Sequence, residues 1–250
     1  MRHWCAFLCF ALFSICPSAV RCQTSTSLEF LDHAQAAVLG GRTSTSLRFS
    51  GTAEWIAGSL HETGTVQAES HADGSTSLQL ALATASRTET QTSLNSSRGC
   101  SWVDASGTSH AIDGPNCYLA IPWFAPSLYA QPISRLPPSL YIRDGGEVTK
   151  DNATRRQISY VSNLGGAGPA SAKKAADSNP VHVFYDPVSF LPASLEYRLH
   201  PDSDTSSNLE VRVLFSDYRS ISGVMVPFHI EKYVQRSLQL KLDLDTCVVD

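Results

Sequence analysis

The chain lacks the short motifs by which many hydrolases and metalloenzymes are recognised in sequence. It contains no G-x-S-x-G elbow, no HExxH helix, and no CxxC or HxxxH pair. Its eight histidines are scattered, and its acidic residues are spread along polar strand faces. We therefore predict a protein that is not an enzyme and that holds neither a metal nor a cofactor.

Charge is also scarce, because Asp, Glu, Lys and Arg together make up 17% of the 250 residues. Residues 1–22 are predicted below to be cleaved off as a signal peptide. They contain Arg2 and Arg21 and no acid, so the rest of the chain has 17 basic and 23 acidic residues and a net charge of −6. Nucleic-acid binding requires a basic surface that meets the phosphates. The acidic balance therefore argues against nucleic acid as a partner.

Long hydrophobic runs are absent after residue 22, so we expect no membrane-spanning helix in the rest of the chain. The one long run, WCAFLCFALFSIC at Trp4–Cys16, follows a basic residue and ends at a proline. Thirteen apolar residues are too few to cross a bilayer comfortably but match a secretory signal peptide, and Val20 and Cys22 suit the positions before its cleavage site. We predict a signal peptide over residues 1–22 and secretion across the inner membrane into the periplasm; the alternative is a buried helix.

Three cysteines remain after residue 22, namely Cys100, Cys117 and Cys247. Cys100 and Cys117 are nearest in sequence, and in an oxidising compartment a disulfide between them would stabilise the fold by about 3 kcal/mol. The alternative is two buried free thiols, and the residues leave both possibilities open.

Residues 24–41 form the one long segment with helical periodicity of apolar residues. Thr26 and Glu29 have the spacing of a capping box, which satisfies the first free amides of a helix. Gly40 and Gly41 supply a C-terminal stop. The segment predicts an N-terminal helix whose small apolar face lies against another element.

Beyond this helix the period of the apolar residues changes from 3.6 to 2, which indicates half-buried β-strands. We predict about ten or eleven antiparallel strands, with turns at SDYRSISG (216–223), VQRS (234–237) and DGGE (144–147). Pro227 removes a ladder donor, so its strand is expected to lie at an edge or to be bulged there. By composition, residues 164–180 are a flexible loop. The clearest alternating sets are Leu209, Val211, Val213 and Phe215; Val224, Val226, Phe228 and Ile230; and Leu238, Leu240, Leu242 and Leu244.

The segment NCYLAIPWFAPSLYA, at residues 116–130, is the most hydrophobic stretch after the signal peptide. Pro122 and Pro126 prevent one regular helix, so we predict two short helical turns. The segment is either a core plug or part of the wall or lid of an apolar cleft, and the two roles are compatible.

The last seventy residues combine two proline-containing motifs. A D-x-x-x-x-LP turn precedes a strand that ends in DYR-x-x-x-G-x-x-VP, and an L-x-L strand closes the chain. This combination, after a helix and the strand RFSGTAEW, resembles the periplasmic lipoprotein-carrier (LolA/LolB-like) superfamily; the central GPNCYLAIPWF is similar to secreted proteins of acidobacterial type. The matching residues are Asp186, Leu191–Pro192, Asp217–Tyr218–Arg219, Gly223, Val226–Pro227, Ile230 and Leu240–Leu242.

The resemblance implies one domain over residues 23–250, a mainly β, unclosed antiparallel half-barrel wrapped around the N-terminal helix and the short central helical segment. It also implies a hydrophobic cavity that binds a lipid or the acyl chain of a lipoprotein, without a cofactor. The alternative is a structural or protein-interaction domain of the envelope, with the same fold, a filled core and a protein partner. The expected cavity residues are Trp55, Trp102, Trp123, Phe124, Phe215 and Phe228.

Overall fold

The computed structural model describes residues 19–42, 46–71, 73–91, 99–112, 116, 123–130, 140–162, 180–200 and 207–250. Side chains are described within these ranges except at 19–27, 91, 140–141 and 162. Cys117 and the predicted loop, apart from Pro180, lie outside the described residues.

The described residues form one antiparallel sheet of thirteen strands, in the order β6-β5-β4-β3-β2-β1-β13-β12-β11-β10-β9-β8-β7. The two end strands do not pair with each other there, so the prediction of a mainly β, unclosed antiparallel sheet is confirmed. The strand count is two or three higher than predicted.

The elements are α1 (Ala19–Leu39), β1 (Leu47–Ala57), β2 (Leu60–Ser70), β3 (Thr76–Ala81), β4 (Arg87–Gln91), β5 (Cys100–Val103), β6 (Ser109–Ala111), a 3-10 helix (Pro126–Ala130), β7 (Leu140–Lys150), β8 (Ala153–Ser162), β9 (Val181–Tyr185), β10 (Pro192–Leu199), β11 (Leu209–Ile221), β12 (Val224–Val234) and β13 (Ser237–Val249).

Three of the hairpins turn on two residues with positive φ, as tight antiparallel turns require. These pairs are Asp151–Asn152, Ser222–Gly223 and Gln235–Arg236. The predicted VQRS turn is therefore confirmed. The predicted turn over SDYRSISG is too long, because β11 continues to Ile221.

The predicted turn at DGGE is wrong, because these residues lie within β7. The register between β7 and β8 shifts between Asp144 and Gly146, and Gly146 has a φ of +76°. The carboxylate of Asp144 accepts a hydrogen bond from the Gly146 amide at 2.8 Å. The glycines thus form a β-bulge, and the chain reverses at the next pair with turn geometry, Asp151–Asn152.

Pro227 lies in β12, which is a central strand of the sheet rather than an edge strand. Strand β12 pairs with β13 only between the residue pair His229 and Asp243 and the residue pair Val234 and Ser237. At Pro227 the pairing is with Tyr218 of β11 alone. The amide hydrogen that proline lacks is therefore not needed there, because β12 has no β13 partner at Pro227. At this point the central strand behaves locally as an edge strand.

Helix α1 begins at Ala19, so Thr26 and Glu29 lie inside it and the predicted capping box does not start it. The predicted stop is confirmed, because Gly40 and Gly41 have φ values of +58° and +86°. A Cβ atom on Gly40 would lie 2.1 Å from the carbonyl oxygen of Gly223. Only glycine allows this approach, which fixes the end of α1 against the β11–β12 turn.

Candidate functional site

One face of the sheet carries a continuous row of directly opposed side chains, which share a face because of the strand pleat. The row starts and ends on acids and is otherwise apolar or aromatic except at Lys232 of β12. Helix α1 and the 3-10 helix lie on the same side, so we call it the concave face. In order across the sheet the row is Glu62, Trp55, Leu240, Lys232, Val213, Leu195, Val183, Ile158 and Asp144.

The structure brings five of the six predicted cavity residues together in or against one apolar core. Trp123, Phe124, Phe215 and Phe228 are between 4% and 6% exposed and belong to it. Trp55 is half-buried and packs against it. These positions make the residues neighbours of an apolar interior, and their role as a ligand lining stays a prediction.

Trp102, the sixth predicted residue, lies on β5 near one end of the sheet. Its indole stacks on His110 with ring centroids 4.2 Å apart, and the guanidinium of Arg87 lies 4.3 Å from its centroid. Glu89, directly opposite Trp102, forms an ion pair with Arg87 at 2.6 Å. Trp102 is therefore surrounded by charged and polar groups rather than by aliphatic side chains.

A second cation, after Arg87, lies over the ring of Trp123. The ammonium of Lys232 lies 4.4 Å from its ring centroid, and its edge contacts Phe124 at 5.6 Å between centroids. Burial lowers the pKa of Lys232; Glu89 raises it and Arg87 lowers it further. Glu89 of β4 therefore lies close enough to β12 to interact electrostatically with it, although the two strands are far apart in sheet order.

The same carboxylate also affects β10, since burial and then the charge of Glu89 raise the pKa of Tyr197. Strand β4 thus faces β10 and β12 across the concave side of a curled sheet. We call Arg87, Glu89, Trp102, Trp123 and Lys232 the rim cluster. The sequence prediction missed its three charged members. One of the three, Lys232, could have been found from the sequence. It lies two residues after Ile230 and so shares a strand face with the apolar residues Val224, Val226, Phe228 and Ile230.

A hydroxyl of the sheet holds the 3-10 helix in place. The hydroxyl of Tyr160 on β8 donates to the carbonyl oxygen of Tyr129 in the 3-10 helix at 2.6 Å, and it lies 3.2 Å from the hydroxyl of Tyr185. Burial raises the pKa of Tyr160, so this hydroxyl stays protonated and can donate. One buried hydrogen bond thus joins the 3-10 helix to β8.

Helix α1 docks through aromatic contacts at the β9–β10 turn. Phe30 lies 5.3 Å from Phe190 and 5.7 Å from Tyr185 between ring centroids, and the His33 ring lies 5.1 Å from Phe190. The guanidinium of Arg156, which forms an ion pair with Asp144, lies 5.6 Å from Phe30. Helix α1 is therefore docked on the β9–β10 turn mainly through ring contacts and one cation–π contact.

The opposite face of the sheet carries a polar groove of about 820 Å³ between the β7–β8 hairpin tip and strands β10 and β11. Three charged residues of its lining form ion pairs: Lys150 contacts Glu196 at 2.6 Å, and Arg212 pairs with Asp151 and lies 3.5 Å from Glu196. A groove with these walls does not suit an acyl chain.

A serine and a histidine meet near this groove, where Ser159 Oγ lies 2.8 Å from His182 Nδ1. Ser159 is buried, and burial lowers the pKa of His182 against the opposing effect of Glu196. A buried hydroxyl cannot reach a substrate, so this pair is a cross-strand structural contact.

The described residues include no cluster of three or more His, Cys, Asp or Glu side chains that could hold a metal ion. Cys247 is a free thiol, and burial raises its pKa to about 11. The Cys100–Cys117 disulfide stays a prediction, because Cys117 lies outside the described part of the chain.

No protein-family model and no curated protein matches the chain. Solved structures do match it along most of its length. A domain of an outer membrane lipoprotein-sorting protein from Vibrio parahaemolyticus superposes with a TM-score of 0.54 at 9% identity, covering 89% of this chain and 92% of its own.

Two further structures show the same likeness. A DUF1329 family protein from Desulfovibrio piger has a TM-score of 0.53 at 11% identity, covering 90% of this chain and 92% of its own. A LolA superfamily protein from Nitrosomonas europaea has a TM-score of 0.51 at 9% identity, with coverages of 88% and 91%. No helix among the described residues has the length and apolar character needed to cross a membrane. The chain has the LolA-like fold that its C-terminal motifs predicted.

Proposed function

We propose that the protein is a non-enzymatic carrier that is secreted into the periplasm and binds the acyl chain of a lipid or lipoprotein on its concave face. The observation that carries this proposal is the apolar concave face covered by a separate helical layer. The row from Leu240 to Ile158 is apolar except at Lys232, and helix α1 and the 3-10 helix cover this side.

The energetics of burial support an acyl ligand. Each buried methylene contributes about 0.8 kcal/mol, so a chain of some fourteen methylenes supplies roughly 11 kcal/mol before the costs of binding. An apolar surface suffices for this gain, and no catalytic group is required. The rim cluster at the edge of this surface provides aromatic and charged groups suited to the polar end of such a ligand.

In this proposal the helical layer moves when the ligand enters, because the aromatic residues below it are already buried. Gly40 and Gly41, with positive φ, end α1 and provide a hinge at the β11–β12 turn. The aromatic contacts of Phe30 with Phe190 and Tyr185 can be exchanged for contacts with an acyl chain. The likeness to a lipoprotein-sorting domain and a LolA superfamily protein agrees with this use of the fold.

A second candidate function is a structural or protein-interaction domain of the envelope. The observation that favours it is the burial of Trp123, Phe124, Phe215 and Phe228, each at most 6% exposed. If the helical layer never moves, these side chains are ordinary core, and a protein partner would bind at the outside of the sheet instead.

Native mass spectrometry of the protein purified without detergent, followed by solvent extraction, separates the two functions. A carrier is expected to retain a lipid or to take up an added fatty acid. A bare mass with no uptake contradicts the carrier and favours the interaction domain.

Two matched variants then locate the site. Phe215 on the concave face and Phe184 on the opposite face are 6% and 5% exposed. Phe215→Leu is expected to change the uptake of fatty acids of different length, whereas Phe184→Leu leaves it as in the parent. Equal effects of the two substitutions would place the ligand elsewhere.

A further inference from the structure

The geometry points to Lys232 as the residue that binds a negatively charged head group, carboxylate or phosphate, of the acyl ligand. This inference rests on the proposed function, and it narrows the ligand to an anionic lipid. Between the two acids at its ends, Glu62 and Asp144, the row carries one charged residue, Lys232.

Lys232 interrupts the apolar phase of β12 on the concave face. It lies directly opposite Leu240 of β13 and Val213 of β11, both of which are buried. An ammonium that is partly withdrawn from water among such neighbours is stabilised by an anionic partner, because removing an ammonium from water is costly.

Among the residues that the structure describes, no acid contacts the ammonium of Lys232. Within the described residues its one specific contact is the ring of Trp123 at 4.4 Å, and it makes no hydrogen bond or ion pair there. The nearest acid that influences it is Glu89, which is in direct contact with Arg87 at 2.6 Å. Glu89 is therefore mainly the counterion of Arg87.

A cation–π contact compensates only part of the lost hydration. The ring contact does not restore the lost hydration, and burial still lowers the pKa of Lys232. A ligand carboxylate or phosphate would form a charge-assisted hydrogen bond with the ammonium in a partly desolvated site. The acyl chain of the same ligand would extend along the neighbouring apolar row.

Lys150 is also half-buried and also lies over an aromatic ring, and it serves as an example of a cation with a structural role. Lys150 lies 5.2 Å from the centroid of Phe184 on the opposite face, and its ammonium contacts Glu196 at 2.6 Å. Lys150 thus has the aromatic contact and an anion, whereas Lys232 has the aromatic contact alone. This difference makes Lys150 the matched control.

The test compares three ligands with the same chain on the full protein at pH 7.5: dodecanoate, dodecyl phosphate and the neutral dodecanol. Their affinities are measured by displacement of the neutral probe N-phenyl-1-naphthylamine. We expect both anions to bind at least tenfold more tightly than dodecanol. In Lys232→Met this preference is expected to disappear, because the affinities for both anions fall to that for dodecanol. Lys232→Arg and Lys150→Met are expected to keep the preference.

The arms of this experiment separate the inference from the proposed function. Equal affinity of the parent for all three ligands, or an unchanged preference in Lys232→Met, overturns the role of Lys232 and leaves the carrier standing. Failure of all three ligands to bind overturns the carrier, and the inference falls with it. Inorganic phosphate that displaced dodecyl phosphate at similar concentration would show a free-anion site and overturn the assignment to a lipid head group.

Discussion

The ammonium nitrogen of Lys232 lies 4.4 Å from the centroid of the Trp123 indole, and this contact joins the sheet to the segment that precedes the 3-10 helix. A cation thus lies at the boundary between the apolar concave face and the helical layer above it. If an acyl chain binds between the sheet and the helices, its polar head group is expected to lie at this boundary.

Substituting this lysine is expected to leave the stability of the ligand-free protein intact. Lys232→Met removes a partly desolvated charge that has no contacting anion, and the gained apolar contact offsets the lost cation–π contact. Lys150→Met removes a cation from its ion pair with Glu196 and is expected to lower the free energy of unfolding by about 0.5–1 kcal/mol. Urea unfolding of both variants checks this; a clear loss of stability in Lys232→Met alone would indicate that Lys232 is a structural residue.

The hydroxyl of Tyr160 is expected to hold the 3-10 helix on the sheet. Tyr160→Phe leaves the carbonyl of Tyr129 and the hydroxyl of Tyr185 without this partner in a buried place, which costs about 1–3 kcal/mol. Tyr233→Phe is the control, because the Tyr233 hydroxyl donates to Glu231 in a part-buried place near the surface. Thermal unfolding gives the stability difference, and faster amide exchange over residues 126–130 should appear in Tyr160→Phe only. Equal behaviour of the two variants would refute the anchoring role.

Phe190 holds a left-handed backbone conformation with a φ of +59° while its ring contacts Phe30 and His33 of α1. Both Phe190→Ala and Phe190→Gly lose the ring contacts, but only glycine also relieves the backbone. We therefore expect the glycine variant to be more stable than the alanine variant by about 1 kcal/mol.

Denaturant unfolding of the two Phe190 variants measures this difference directly. Val188→Ala on the same turn is the control and is expected to change stability by less than about 0.5 kcal/mol, because Val188 is exposed. An alanine variant as stable as the glycine variant would mean that the turn relaxes and that no strain is held there.

Asp186 should contribute to the loss of stability in acid. The Ser189 amide, its hydroxyl, the Val188 amide and Arg155 all favour the carboxylate and outweigh desolvation, so the pKa of Asp186 lies below its ordinary value in the folded protein. A lowered folded pKa means that the contribution is complete above the unfolded pKa, near 4, and is lost as the pH falls through the lower folded value. Asp186→Asn is expected to unfold more easily than the parent at pH 7 and to lose less stability between pH 5 and pH 2. Parallel pH curves for the two proteins would contradict this.

The sheet could be predicted largely because strand side chains alternate with a period of two. The apolar sets of β11, β12 and β13 therefore identified one buried face without any tertiary information. The turn at DGGE was mispredicted because Gly-rich sequences serve both turns and bulges, and the choice depends on how far the strand pairs beyond them.

The helical layer and the rim cluster could not be predicted in the same way. The docking of Phe30 on Phe190 and of Lys232 on Trp123 joins residues more than a hundred positions apart, and no local pattern specifies such pairs. The aromatic members of the rim cluster were identified by their type alone. Lys232 was missed because the apolar set of its strand was ended at Ile230, and the next residue on the same face was not considered.

Quenching of tryptophan emission by brominated fatty acids tests the carrier most directly. Removal of the predicted signal peptide, residues 1–22, also removes Trp4, so the emission of the mature protein comes from Trp55, Trp102 and Trp123, which all lie on the concave side or at its rim. We predict that an acid brominated along its chain quenches this emission, that the unbrominated acid does not, and that Trp123→Phe removes the largest share of the quenching. Emission that stays unchanged at every concentration of the brominated acid would contradict an acyl chain on the concave face.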